Sequence, residues 1–197
     1  MCGRFFFEGD LDEVIERFNI HINNATQYRK GEIYPSYEFP VIYKKEENRI
    51  ELFKWGFTAP YLRNLVINAR GETVDSKPMF KRALIEGRCI IPANGYFEWQ
   101  SDGNIKIKHK ISLVNQKLFS MAGLYSKLID KNGEVFTGFT IITKEAIPSL
   151  KKIHHRMPVI LSSEKEDLWI SEANDHTPIN ILRSDMIKDD DIYIEIV

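Results

Sequence analysis

Residues 105–114 read IKIKHKISLV, and their alternation decides the fold class. Ile105, Ile107, His109, Ile111 and Leu113 take every second position, with Lys106, Lys108, Lys110 and Ser112 between them. A period of two places one set on a buried face and the other toward water, which predicts a half-buried strand. Working outward, further strands are predicted at 38–43, 49–57, 64–68 and 88–91. EVFTGFTIIT (134–143) reads as a strand running into a helical 145–153, and DDDIYIEIV (189–197) as a final strand.

Helices are fewer. GDLDEVIERFN (9–19) offers Asp10 as N-cap and Glu13 three residues on, with Leu11, Val14, Ile15 and Phe18 at helical spacing. A second helix is predicted from about Ser76, since Pro78 suits a first helical position and Gly87 a stop. SSEKEDLWI (162–170) reads as a short capped helix. Strands outnumber helices without a regular βαβ alternation, so the class is α+β, with an antiparallel or barrel-like sheet core and a few peripheral helices. Neither repeats nor Gly-, Pro- or Ser-rich linkers divide the 197 residues, so one domain over 2–197 is expected.

Composition excludes several classes. The formal net charge is −1, so no global positive field draws the chain to nucleic acid or membrane, and any nucleic-acid site must be a local patch. No apolar run spans a bilayer, and the N-terminus lacks a signal-peptide layout; the chain reads as cytoplasmic, with no membrane partner. Two cysteines, Cys2 and Cys89, lack metal-type spacing, and a reducing compartment disfavours a bridge between them. No metal or cofactor is expected, and Cys89 reads as a buried packing residue.

Four stretches carry chemistry. MCGRF (1–5) places Cys2 behind the initiator methionine. A small second residue lets an aminopeptidase remove Met1, which would leave Cys2 as a 1,2-aminothiol. Its amine can attack an aldehyde and its thiol can then close a five-membered thiazolidine, both being partly nucleophilic near neutral pH. In LVINARGET (65–73), Asn68 and Arg70 leave an apolar strand in similar directions. Asn68 can orient an amine or carbonyl without titrating, and Arg70 suits a phosphate; alone, the pattern is that of an ordinary polar strand end. In RCIIPANGYFEWQ (88–100), Glu98 lies between Phe97 and Trp99. Either it is partly desolvated and raised toward acid–base use, or it points outward while its neighbours face the core. LKKIHHRMPVIL (150–161) offers one imidazole, His154 or His155, as a proton carrier, with Lys151, Lys152 and Arg156 able to hold phosphates; alone, the run is that of a solvated basic loop.

Together MCGRF, INAR, GYFEW and IHHRMPVIL, in that order, resemble the SOS-response-associated peptidase (SRAP) family of abasic-site processing proteins. The resemblance implies a barrel-like α+β fold and a monomer that binds single-stranded DNA containing an abasic site. It also implies a thiazolidine link from Cys2 to the ring-opened sugar. In those terms Cys2 is the nucleophile, Asn68 orients amine and aldehyde, Glu98 shuttles protons and His154 assists ring opening. Arg4, Arg70 and Arg156 would grip phosphates, Thr143 would add a hydrogen bond, and Tyr61 would wedge against bases. An AP-lyase side activity and removal of Met1 by the protein itself follow from the same site. The chain departs from the family around Pro35, where EIYPSYEFP lacks a Tyr-Asn-x-Ala-Pro segment, and at Pro78, where a basic residue is common.

Two other readings compete. An N-terminal Cys2 also opens glutamine amidotransferases, although that chemistry leaves GYFEW and IHHRMPVIL unexplained. A non-catalytic single-strand binder would use the Arg and aromatic residues alone.

Overall fold

The computed structural model describes residues 2–171, 177–184 and 187–197; Met1, whose removal the sequence predicts, lies outside them. In chain order the elements are β1 (Phe5–Phe7), α1 (Leu11–Arg17), β2 (Ile22–Asn24), β3 (Gly31–Ile33), β4 (Glu38–Lys44), β5 (Asn48–Trp55) and β6 (Asn68–Arg70). There follow α2 (Pro78–Glu86), β7 (Arg88–Ala93), β8 (Gly95–Asp102), β9 (Ile105–Leu113), β10 (Phe119–Ile129), β11 (Val135–Glu145), α3 (Pro148–Lys151), β12 (Arg156–Pro158) and β13 (Ile160–Leu161). The chain ends with α4 (Ser163–Ile170), α5 (Thr177–Arg183), a 3-10 turn at Asp189–Asp191 and β14 (Ile192–Ile196).

The α+β class and the barrel-like core are borne out. Strands β11, β10, β7, β4 and β5 pair in succession, and β5 returns to β11 through the parallel pairs Lys54↔Gly138 and Trp55↔Phe139, which closes the barrel. Closure removes the free edges that an open sheet would expose. The turn away from the seam begins at Gly56, whose φ of 128° is left-handed and whose N–H donates to Phe139 O at 2.8 Å. A Cβ there would meet Leu65 Cβ at 2.8 Å, so glycine is required.

The alternating stretch 105–113 is β9, and it belongs to a second sheet in the order β14-β9-β8-β1-β3. Its inner face packs on the barrel through aromatic rings. Phe5 lies 4.8 Å from Phe39 and 5.1 Å from Trp55, and Phe7 lies 5.3 Å from Phe39. Such edge contacts add about 0.5–1.5 kcal/mol each beyond area burial, so β1 is firmly fixed and the residues just before it have a defined place.

Asp10 caps α1 through the Asp12 N–H, and Pro78 opens α2 as read. Three expectations need correction. Residues 64–68 form only the bridge Phe57↔Val66, and the strand proper begins at Asn68, where β11 offers a partner. The helix expected over 145–153 shrinks to Pro148–Lys151, because β11 continues to Glu145 and Pro148 is tolerated only in a first turn. Ser162 precedes α4 without a side-chain cap bond. Among the described residues no helix is long and apolar enough to cross a membrane.

Two helices are tied to the barrel by one buried cation. Arg88 donates to Leu84 O (2.6 Å) and Ile85 O (3.0 Å) at the end of α2, and to Trp169 O (2.7 Å) and Ser171 O at the end of α4. A cation suits the negative ends of both helices. Arg88→Met leaves those carbonyls unsatisfied, at roughly 1–3 kcal/mol for a buried group. The variant should lose about 3 kcal/mol of stability in urea unfolding. A surface control, Arg82→Met at a side chain that is 85% exposed, should lose almost none.

Candidate active site

Strand β1 sets the first member. Cys2 lies just ahead of it and is completely buried, its thiol 3.9 Å from Arg4 O. Burial, and secondarily the Glu98 carboxylate, push the thiol far above its ordinary value. Burial therefore favours the neutral thiol.

Asn68 enters from the barrel side. Strand β6 pairs in parallel with β11, Asn68 opposite Ile141, and this carries the amide to the N-terminal segment. Its Nδ2 donates to Cys2 O at 3.0 Å. Its Oδ1 is buried and has no hydrogen-bond partner among the described residues. The amide thus fixes Cys2 with one end and keeps an acceptor open with the other.

Glu98 settles the choice left by its aromatic neighbours. It faces inward at 4% exposure, on the same face of β8 as Tyr96, while Phe97 and Trp99 occupy the opposite face, where cations lie over both rings. Burial raises its carboxyl above the usual carboxylate range. Its Oε1 lies 4.0 Å from His154 Nδ1.

The His154 ring follows α3 and stacks on His155, with centroids 4.4 Å apart. Burial lowers its pKa below the ordinary 6.5; the hydrogen bond to the Arg156 backbone works against this, and the charges of His155 and Arg156 add to it. Nδ1 accepts from the Arg156 N–H at 3.0 Å and lies 3.3 Å from Arg156 O. One backbone unit thus serves either tautomer: it donates to a bare Nδ1 and accepts from a protonated one. The ring can then give or take a proton through Nε2.

Cys2, Asn68, Glu98 and His154 therefore gather in one region, supplied by β1, β6, β8 and the α3–β12 connection. The residues expected at DNA are more dispersed. Arg156 is held by Glu72 in a bidentate pair (2.7 and 2.9 Å) and also donates to Thr143 O (2.7 Å) and Thr143 Oγ1 (3.3 Å). Thr143 is fully buried and pairs with Arg70, whose side chain is exposed. Tyr61 is 79% exposed, in the segment between β5 and β6. Arg4 projects from β1 to the outer face, between the rings of Tyr34 (4.2 Å) and Trp99 (4.9 Å), and binds Glu32 at 3.0 Å.

Two members escaped the sequence reading. Tyr96 is 1% exposed, and its hydroxyl has no hydrogen-bond partner among the described residues. Burial raises it well above the ordinary tyrosine value, with Cys2 and Glu98 adding to the shift. Period two in GYFEW would have placed it beside Glu98. Glu72 carried no such signal, because its partner Arg156 lies 84 residues away. Among the described residues no cluster of His, Cys, Asp and Glu could hold a metal ion.

Comparisons with known proteins extend over the whole chain. The family model described as SOS response associated peptidase (SRAP) matches residues 1–193. Abasic site processing protein YoaM of Bacillus subtilis is 37% identical over 187 residues, covering 88% of this chain and 81% of that protein. Abasic site processing protein YedK of Escherichia coli is 27% identical over 179 residues, covering 87% and 80%. A crystal structure from Bacteroides thetaiotaomicron superposes with a TM-score of 0.85 at 26% identity, covering 100% of this chain and 92% of that one. One from Bordetella bronchiseptica gives 0.84 at 20% identity, covering 100% and 99%, a likeness of fold. A match over nearly every residue, with MCGRF, INAR, GYFEW and IHHRMPVIL converging in space, places the chain in the SRAP family.

Proposed function

We propose that this protein captures the aldehyde of an abasic site in single-stranded DNA as a thiazolidine on Cys2. The observation that carries the reading is the convergence of a buried Cys2, an amide with one open acceptor, and a Glu98 carboxyl 4.0 Å from the His154 imidazole, both pushed by burial toward their neutral forms. The processing activity named for the relatives supplies the substrate class.

Hydrolysis of the Met1–Cys2 peptide bond frees the α-amine. Asn68, holding the Cys2 carbonyl, accepts from that amine through Oδ1 and aims its lone pair. His154 takes the proton from the hemiacetal hydroxyl and returns it to the ring oxygen, which opens the sugar. The amine adds to the aldehyde carbon, protonated Glu98 donates to the hydroxyl that departs as water, and the nitrogen returns its proton to the Glu98 carboxylate, leaving an imine. Sulfur then adds to the imine carbon and the thiol proton passes to nitrogen. Aldehyde and aminothiol thus become thiazolidine and one water. Loss of a proton from the carbon next to the imine would instead expel the 3′ phosphate, the lyase branch.

Cys2→Ala keeps the amine and removes the sulfur. With an abasic oligonucleotide it should give no adduct that survives heating, yet should be trapped by borohydride as the reduced imine, both read by intact mass. A heat-stable adduct equal to that of wild type would overturn the assignment.

Glu98→Gln separates chemistry from stability. General acid–base catalysis contributes typically about 10²–10⁴-fold, so adduct formation should slow by about that range. The folded carboxyl holds its proton more tightly than a free one, so its contribution favours the native state below pH 4.5 and is lost as pH rises through the raised value. At neutral pH the carboxyl is ionised freely in the unfolded chain but resisted by burial in the folded one, which weighs against folding. The variant should melt above wild type at pH 7, and the two should converge at pH 4.

A further inference from the structure

The outer face of the sheet β14-β9-β8-β1-β3 plays no part in the chemistry above. On β9 the period of two sends Ile107, His109 and Ile111 inward and turns Lys106, Lys108 and Lys110 outward, about 7 Å apart. These lysines face Ser101, Trp99 and Phe97 of β8 across the strand pair. Lys108 Nζ sits 4.1 Å from the Phe97 ring centroid and Lys110 Nζ 4.0 Å from that of Phe6. Phe6 and Phe97 contact edge to face at 6.2 Å. With Arg4 between Tyr34 and Trp99, the face is a file of cations laid over aromatic rings.

The charge balance is local. Against a chain net charge of −1, the cations Arg4, Lys106, Lys108 and Lys110 share this face with the acids Glu32 and Glu195. Glu32 binds Arg4 and Lys108 together. Burial works to raise its carboxyl, but its bonds to Lys108 and Arg4 prevail and hold it below the usual range. Beyond Lys110 the surface turns acidic, where Glu8, Asp10 and Glu13 line the next cleft. The basic file thus has an end, and Arg4, two residues from Cys2, stands beside it across β8, where its backbone carbonyl accepts from the Phe97 N–H.

We propose that this face is a track for single-stranded nucleic acid, continuing from the abasic site past Arg4 along β8 and β9. Phosphates would lie on Lys106, Lys108 and Lys110, and bases would stack on the exposed part of Trp99 and on Phe6. Aromatic stacking tolerates any sequence and needs unpaired bases, so the track takes a single strand rather than a duplex. It accommodates nucleotides on one side of the lesion only, because Cys2 precedes β1 and the lysine file lies on the β8–β9 side of that strand. Glu32 is the internal anion that a phosphate displaces. The inference rests on the single-strand reading of the site.

The test is binding of fluorescent oligonucleotides to the full-length protein over a salt series, for wild type, the triple variant Lys106→Ala/Lys108→Ala/Lys110→Ala, and Glu32→Gln. Each phosphate contact on a single strand contributes about 0.7 to the slope of log K against log salt. With Lys108 already shared with Glu32, the triple variant should lose about 1.5 to 2 of that slope. Lengthening the strand by about six nucleotides on one side, within the usual span of a stacking platform, should tighten wild type and leave the triple variant unchanged. Glu32→Gln should bind more tightly than wild type. Crosslinking of the triple variant to a short abasic trinucleotide should match wild type, which shows that its fold and site are intact. An unchanged slope and an unchanged one-sided gain in the triple variant would sink the track while leaving the site reading standing. Failure of wild type to crosslink any abasic strand would sink the site reading instead, and binding of undamaged strands would still judge the track.

Discussion

A β-strand has two hydrogen-bonding edges, and β11 divides both of its own. On one edge β10 takes residues 135–141 and β12 takes 143–145; on the other β5 takes 138–139 and β6 takes 141–143. The first half of the strand closes the barrel, and the second half holds two short segments that have little else to hold them. Those segments begin with Asn68 and Arg156. The amide that binds the Cys2 carbonyl and the backbone unit that holds His154 Nδ1 are thus fixed relative to one another by a few residues of a single strand. The barrel positions the site because its seam strand outruns it.

Depth does the rest. Cys2, Tyr96 and Glu98 are all at most 4% exposed, and water is the usual solvent for charge. Thiol, phenol and carboxyl are all driven toward their protonated forms and the imidazole toward its neutral one. A site of neutral acids beside a neutral base stores protons where they are needed and avoids isolated buried ions. On the proposed reading, ring closure in such a place moves a proton from sulfur to nitrogen between neighbours rather than through solvent.

The legible parts of the sequence were those governed by local periodicity. The alternation of 105–113, the Asp10 cap and the Pro78 start all reflect contacts within one element, and they appear as read. The barrel class followed from counting strands. Its seam did not, since a two-residue parallel contact between Trp55 and Phe139 leaves no mark on either segment. The same holds within the site. Motifs named Cys2, Asn68, Glu98 and His154, but the inward turn of Glu98 depended on which face of β8 the barrel covers. The pairing of Arg156 with Glu72 joins positions 84 residues apart, and Tyr96 hid in plain view because an aromatic beside a glutamate reads as packing.

The Glu72–Arg156 pair bears on how ionic strength acts at this surface. A guanidinium already neutralised by a carboxylate recruits few counterions from solution, so a phosphate that reaches Arg156 swaps one anion for another. Such an exchange is nearly silent to salt, while its geometry is strict, because the fork is already aligned by Thr143 and tied through its own backbone to His154. In the proposed complex Arg156 would therefore act as a ruler for an incoming strand more than as a magnet, and a displaced Glu72 would register the arrival as one carboxylate newly returned to water.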